Sequence, residues 1–299
     1  MTAPDVSKLR EEFKTPYQLI KTSDGKTIFL RQWVGSNRTD LAILIFHGIT
    51  AYSEPYGKLI AEEIAGAGFN VFGMDLRGHG LSDGNRGDYP SRERLSKDLC
   101  ETIRFLKGKY SKVVVLGHSL GVLSAVVAGN SCPTGIDGMI LVSAGRKIRP
   151  GAYAKPTTLA ALKTLVAITL FPRRPMIEYG RSGMVGRNNP LFNFRYSARF
   201  YSVMYGTSAL SVVRMFAKNE IVSPNMIISK SLDIPMLVVV GDQDEIFPVD
   251  SARAFFDSIE CKRKEFIVIP GGRHGAFPGG SWVQLIAWLR KNYASLKTD

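Results

Sequence analysis

The chain has 299 residues, 45 % of them hydrophobic, with 39 Lys and Arg against 26 Asp and Glu for a formal net charge of +13. That length and apolar fraction exclude a disordered or fibrous chain and suffice for one large core. Residues 1–13 are polar and mixed in charge, without the apolar stretch of a signal peptide, so export by the common route is not expected.

Residues 17–20 and 27–33, joined through Ser23-Asp24-Gly25, read as a β-hairpin. Short apolar runs follow at 41–46, 70–74, 112–116, 139–142, 236–240 and 265–269, and helical patterns lie between most of them, at 55–65, 92–109 and 281–293. This alternation predicts an α/β fold with a mostly parallel sheet covered by helices on both faces. It breaks between Val142 and Met236, where roughly ninety residues rich in Arg, Pro, Met and aromatics replace one crossover helix. A structureless loop of that length has no place in a compact domain. The chain therefore divides into a core, 1–145 with 233–299, and an inserted subdomain, 146–232.

The charge collects in that insertion. Residues 146–232 hold fourteen Lys and Arg but only two acids, Glu178 and Glu220, a net of +12, and the rest of the chain carries +1. So lopsided a split points to a surface facing anionic lipid or an anionic substrate. Within the insertion, residues 157–171 form an apolar stretch of fifteen with Lys163 inside it, too short to cross a bilayer. As a helix it either packs on the body of the protein or forms a lid that touches membrane, with Arg173 and Arg174 as interfacial anchors.

The most informative segment is Gly117-His118-Ser119-Leu120-Gly121, which follows an apolar strand and precedes a helix of small residues from Val122 to Ala128. A serine on so tight a strand-to-helix turn needs glycines where side chains would collide, and the turn lifts its hydroxyl clear of the sheet. Serine becomes a nucleophile only beside a base, which in turn needs an orienting carboxylate. Of the four histidines, His47, His79 and His118 read as rings hydrogen-bonded within loops. His274, in Gly271-Gly272-Arg273-His274-Gly275 after the last strand, has the chain order and the loop to reach Ser119. Between them, Gly241-Asp242-Gln243-Asp244 follows the strand at 236–240 at its carboxyl end, where open α/β sheets place their sites. Asp244 is taken as the acid, Asp242 as a turn residue bonding its own backbone, and Asp250 as the opening of the helix after Pro248.

Four segments then resemble the α/β-hydrolase superfamily and, within it, the monoacylglycerol lipase, lysophospholipase and serine aminopeptidase-like group. They are Phe46-His47-Gly48 with Ser53 and Tyr56, Asp75-Leu76-Arg77-Gly78-His79-Gly80-Leu81-Ser82, the Ser119 turn, and Gly241-Asp242-Gln243-Asp244 with His274. The resemblance implies that the insertion is a cap roofing the site, and that backbone N–H groups of Ile49 and Leu120 form the oxyanion hole. Thr50 and Val122 stand where such sequences often carry glycine, and neither change removes a catalytic group. The Arg77-Gly78-His79-Gly80 turn reads as structural, since no step of ester hydrolysis calls for a residue there.

Three scattered cysteines, Cys100, Cys132 and Cys261, argue against a disulfide framework and for a reducing, cytoplasmic setting. No cluster has metal-ligand spacing, no glycine-rich turn carries the Lys-Ser/Thr of a phosphate loop, and no cofactor is implied. The basic insertion lacks any nucleic-acid-binding motif. The expected activity is serine carboxylic-ester hydrolysis of lipids, most of all monoacylglycerols. Lysophospholipase, acyl thioesterase and iminopeptidase-type amidase are the alternatives, and a non-catalytic ligand receptor on the same scaffold is a distant one.

Overall fold

The computed structural model describes residues 5–35, 40–153, 156–179 and 189–293. In chain order the elements are α1 (Val6–Glu11), β1 (Tyr17–Lys21), β2 (Thr27–Trp33), β3 (Leu41–Phe46), a wide π-type turn (Gly57–Ala61) leading into α2 (Glu62–Gly66), β4 (Asn70–Met74) and α3 (Arg92–Lys107). Next come β5 (Lys112–His118), α4 (Gly121–Ser131), β6 (Gly138–Val142), α5 (Thr158–Thr169), β7 (Ile177–Glu178), β8 (Arg195–Tyr196), α6 (Ala198–Tyr205) and α7 (Ala209–Ala217). The chain closes with β9 (Met236–Gly241), α8 (Val249–Asp257), β10 (Lys264–Ile269) and α9 (Val283–Tyr293).

Eight strands form one sheet in the order β1-β2-β4-β3-β5-β6-β9-β10. The hairpin pairs antiparallel, β2 is antiparallel to β4, and every other neighbour is parallel. The central strands are apolar throughout because both their faces are dry. Leu44, Phe46, Val113, Val115, Met139 and Leu141 pack in one core with Leu99 and Ile103 of α3 and Leu123 and Val126 of α4. Their alternates Leu41, Ile43, Ile45, Val114, Leu116 and Ile140 pack in the other with Ile64 of α2 and Leu285, Trp288 and Leu289 of α9. Period-two alternation thus feeds two separate cores rather than one core and a wet face. Element ends differ slightly from expectation. The last helix starts at Val283, and Trp282 just before it is buried with its indole N–H donating to the Leu59 carbonyl (2.8 Å).

One expectation fails outright. Cys100 on α3 and Cys132 just past α4 are joined as a disulfide, with their Cα atoms 5.8 Å apart. The two helices lie side by side on the same sheet face, so residues 32 apart in sequence become neighbours. Cysteine number and spacing carry no information about that packing. The cysteine-based case for a reducing compartment falls with the expectation.

The Arg77 turn is a buried charge network. Arg77 and Arg94 both donate to Asp98 (2.7 and 2.8 Å), and the Tyr89 hydroxyl donates to the same carboxylate (2.6 Å). Burial alone would depress the Arg77 guanidinium, but its bonds to Asp98 and Asp24 raise it instead. Gly80 lies at φ +47°, where a Cβ would run into the Asp75 carboxylate that holds the N–H groups of Ser53 (2.6 Å) and Leu81 (2.7 Å).

The same turn anchors the insertion that leaves the sheet after β6 and returns at β9. Asn193 Nδ2 donates to the Gly78 carbonyl (2.7 Å) and Arg86 to that of Leu191 (2.7 Å), while the Ser197 hydroxyl (2.5 Å) and Arg199 both bond Asp88. At the other end of the insertion, α5 is capped by the Thr157 hydroxyl, which accepts the Ala160 N–H (3.2 Å). Only Ala167 of α5 is buried, and Leu159, Leu162 and Leu165 are 61, 57 and 52 % exposed. Its leucines therefore face outward instead of packing on the body. Among the described residues no helix is long and apolar enough to cross a membrane. All the basic residues described in the insertion are exposed except the half-buried Arg199; Lys155, Arg181 and Arg187 lie outside the described residues.

Candidate active site

Ser119 sits between β5 and α4 at φ +55°, a left-handed conformation that costs a non-glycine residue of order 1–3 kcal/mol. Its neighbours make the turn feasible. A Cβ on Gly117 would strike the Gly121 carbonyl, and one on Gly121 would strike that of Phe46. The Ser119 N–H donates to the Val142 carbonyl (3.0 Å), which ties the turn to β6.

His274 reaches Ser119 from the loop after β10. The Ser119 hydroxyl donates to His274 Nε2 (2.9 Å), and His274 Nδ1–H faces both carboxylate oxygens of Asp244 at 3.1 Å. A carboxylate only accepts, so the proton lies on Nδ1 and Nε2 is free to take one from serine. Asp244 is fully buried, and its Oδ1 also accepts the N–H groups of Ile246 (2.8 Å) and Phe247 (2.9 Å). Burial pushes its carboxyl up, but the bond and charge of His274 with those two N–H donors prevail, holding it below the ordinary carboxylate range. Asp242 faces elsewhere, accepting the Gly271 N–H (2.7 Å). Asp250 lies in the first turn of α8.

Ile49 and Leu120 flank Ser119. The N–H groups on either side of Ile49 are occupied, that of Gly48 by the Tyr56 hydroxyl (2.7 Å) and that of Thr50 by the Tyr196 hydroxyl (2.7 Å). Among the described residues no acceptor engages the N–H of Ile49 or of Leu120. Leu120 is also the N-cap of α4, where the helix dipole favours negative charge. Thr50 adopts φ +66° at the position where glycine is often found, held there by Tyr196.

The other histidines differ in kind. His79 Nδ1–H donates to the Arg77 carbonyl (3.0 Å) within its own turn, whereas His47 Nδ1–H donates to the Gly48 carbonyl (2.8 Å) and its Nε2 accepts the Leu76 N–H (3.2 Å) from the loop after β4. His118 reaches beyond its own loop as well. The Gly48 N–H donates to the Tyr56 oxygen, whose O–H donates to His118 Nδ1 (2.8 Å), and His118 Nε2–H donates to the His274 carbonyl (2.6 Å). This relay joins the Ile49 loop to the His274 loop beneath Ser119. Glu245 supports the same loop by accepting the His274 N–H (2.9 Å), and Arg149 at the start of the insertion donates to the Asp244 carbonyl (2.8 Å). Sequence reasoning missed these supports. The signal available was the polar character of His118, Tyr56 and Glu245 next to residues already singled out.

Two cavities meet at Ser119. A small apolar one of about 40 Å³ is bounded by Leu120, Leu123, Ser143, Tyr153, Tyr205 and Phe216. A second of about 200 Å³ is bounded by Ala51, Pro55, Leu59, Ile246, His274 and Gly275. Among the described residues no group of three or more His, Cys, Asp or Glu is placed to hold a metal ion.

The chain matches the family described as Serine aminopeptidase, S33, over residues 37–278. It is 27 % identical over 280 residues to the monoglyceride lipase of Rattus norvegicus, covering 90 % of this chain and 87 % of that one. It is 25 % identical over 255 residues to a monoacylglycerol lipase of Mycolicibacterium smegmatis, covering 85 and 88 %. In three dimensions it resembles Paleococcus ferrophilus monoacylglycerol lipase, with a TM-score of 0.62, 26 % identity and coverage of 89 and 99 %. It shares its fold with a soluble variant of Saccharomyces cerevisiae monoglyceride lipase, with a TM-score of 0.69 at 19 % identity and coverage of 96 % of each chain.

Proposed function

Because the chain belongs to the serine aminopeptidase S33 family of α/β-hydrolases, we propose that it is a serine hydrolase of lipid carboxylic esters, in the manner of a monoacylglycerol lipase. The observation that carries this reading is the Ser119–His274–Asp244 chain of hydrogen bonds beside two unclaimed backbone N–H groups. In the proposed reaction Ser119 Oγ attacks the ester carbonyl while its proton passes to His274 Nε2. The N–H groups of Ile49 and Leu120 receive the oxyanion. Asp244 stabilises the imidazolium, which then protonates the departing alcohol and leaves an acyl-enzyme. Water activated by His274 releases the acid and restores Ser119.

Residues 1–145 and 233–299 serve as the catalytic core, and 146–232 as a cap over it. Supporting the ester reading over a peptidase one, among the described residues no carboxylate lines either cavity at Ser119, whereas a site for a free amine calls for one. A fluorophosphonate or phenylmethylsulfonyl reagent is expected to label Ser119 stoichiometrically and abolish ester hydrolysis. Full activity after complete labelling would overturn the mechanism, as would loss of activity on adding a chelator alone.

The cap also suits peripheral contact with anionic bilayers. Leu159, Leu162 and Leu165 are exposed beside Lys163, with Leu170, Phe171, Arg173 and Arg174 following. Charge attraction of this kind is screened within about 10 Å at 0.1 M salt, whereas burial of an acyl chain is not. Hydrolysis of a vesicle-borne ester is therefore expected to fall steeply with ionic strength while that of a soluble short-chain ester stays level. Equal co-sedimentation with neutral and anionic vesicles would remove the membrane role.

A further inference from the structure

Beyond the small cavity at Ser119 lies a larger one of about 390 Å³ inside the insertion, bounded by Ile177, Tyr201, Ala209, Val212 and Val213. Three side chains, Tyr153, Tyr179 and Phe216, border both. They form a wall of perpendicular rings. Tyr153 meets Phe216 edge-on at 5.4 Å and 90°, and meets Tyr179 at 6.0 Å and 72°. The Tyr179 hydroxyl donates to that of Tyr153 (3.3 Å), and Tyr205 closes the rim against Phe216 at 5.9 Å.

The side of Ser119 on which these chambers lie follows from the chemistry. His274 protonates the leaving alcohol, so the alcohol must occupy the cavity that His274 and Gly275 line. The acyl group then points the other way, into the small inner chamber, which His274 does not border. The inner chamber, about 40 Å³, accommodates only a short acyl group. A longer chain pressing on toward the outer chamber meets the wall of Tyr153, Tyr179 and Phe216.

We propose that Tyr153, Tyr179 and Phe216 form a gate that sets acyl-chain length: closed, it confines the acyl group to the inner chamber, and displaced, it passes the tail of a longer chain into the outer one. This rests on the ester-hydrolase reading given above. Short chains are turned over with the gate closed. Longer ones must part the edge-to-face contacts and the hydroxyl pair, and gain the largely apolar outer chamber, whose wall also carries Glu178, Thr164 and Asn219, in return.

The test is kcat/KM over p-nitrophenyl esters of two to sixteen carbons, expressed as the twelve-carbon to four-carbon ratio. Phe216→Ala, which opens the wall, is expected to raise that ratio about tenfold, and Phe216→Trp, which thickens it, to lower it. Tyr179→Phe, which removes the hydroxyl pair but keeps the ring, is expected to raise it by a smaller factor. Phe216→Leu replaces the alanine variant if thermal melting shows the latter unfolded. Opposite shifts from alanine and tryptophan separate a gate from a general packing role, which would lower all rates together. Ratios within twofold of the parent in these variants would overturn the gate. If the unaltered protein hydrolyses none of the series, the ester reading itself falls and takes the gate with it.

Discussion

Replacing Ser119 with alanine is expected to lower ester hydrolysis by about 10⁴-fold or more while leaving the fold intact, and His274→Ala and Asp244→Asn are expected to do nearly the same. The serine and histidine supply the attacking oxygen and its proton acceptor, 2.9 Å apart. Asp244 fixes the proton on His274 Nδ1, so an amide in its place presents donors where the ring and the Ile246 and Phe247 N–H groups all need an acceptor. The informative contrast is with Asp242, two residues away. Among the described residues its carboxylate holds only the Gly271 N–H, so Asp242→Asn is expected to cost less than tenfold. Initial rates on p-nitrophenyl acetate, with circular dichroism to verify folding, decide the matter. A severe Asp242→Asn defect beside a mild Asp244→Asn one would reassign the acid.

Acid is expected to unfold the protein between about pH 6.5 and 4, before most carboxylates titrate. Three of the buried histidines are held neutral by their surroundings. Burial, reinforced by the neighbouring His274, lowers His118 to about 4. Burial lowers His47 as well, and burial together with His47 lowers His79 further. In the unfolded chain each titrates near 6.5, so the unfolded state binds more protons throughout that window. The stability these groups confer is complete above the unfolded value and drains away as pH falls toward the folded one. For His118 alone the loss at pH 5 is about 2 kcal/mol, a large share of a typical margin. Urea midpoints at pH 7.5 and 5.0 measure it, and His118→Gln is expected to flatten the slope. Equal midpoints at the two pH values would contradict neutral, buried rings.

Much of this molecule was legible in the chain. The central strands announced themselves because a sheet buried on both faces needs uninterrupted Val, Ile and Leu, as in Leu41–Phe46 and Met236–Gly241. The approach of Ser119, Asp244 and His274 could be anticipated because each lies at the carboxyl end of such a strand, where the topology leaves few places to go. What stayed hidden depends on packing between segments distant in sequence. Cys100 meets Cys132 across two helices, and Phe216 meets Tyr153 from sixty-three positions away. Local periodicity has no access to such pairings. The outward face of α5 was one of two readings that a uniformly apolar helix allows, because a pattern apolar all round gives no direction.

The two dry faces of the sheet carry a consequence for how the chain finds its register. A strand with one wet face announces which way up it must lie, because a slip by one residue drowns its apolar side chains. Leu41–Phe46 and Lys112–His118 lack that safeguard over most of their length, since slipped by one they would still bury hydrocarbon on both sides. The ambiguity is resolved at their ends. Only one alignment brings Gly121 against the Phe46 carbonyl, lets the Ser119 N–H find Val142, and passes the His118 ring between Tyr56 and the His274 carbonyl. The turn residues gathered around Ser119 thus act as alignment marks for the sheet beneath them, so substitutions there imperil assembly as well as chemistry.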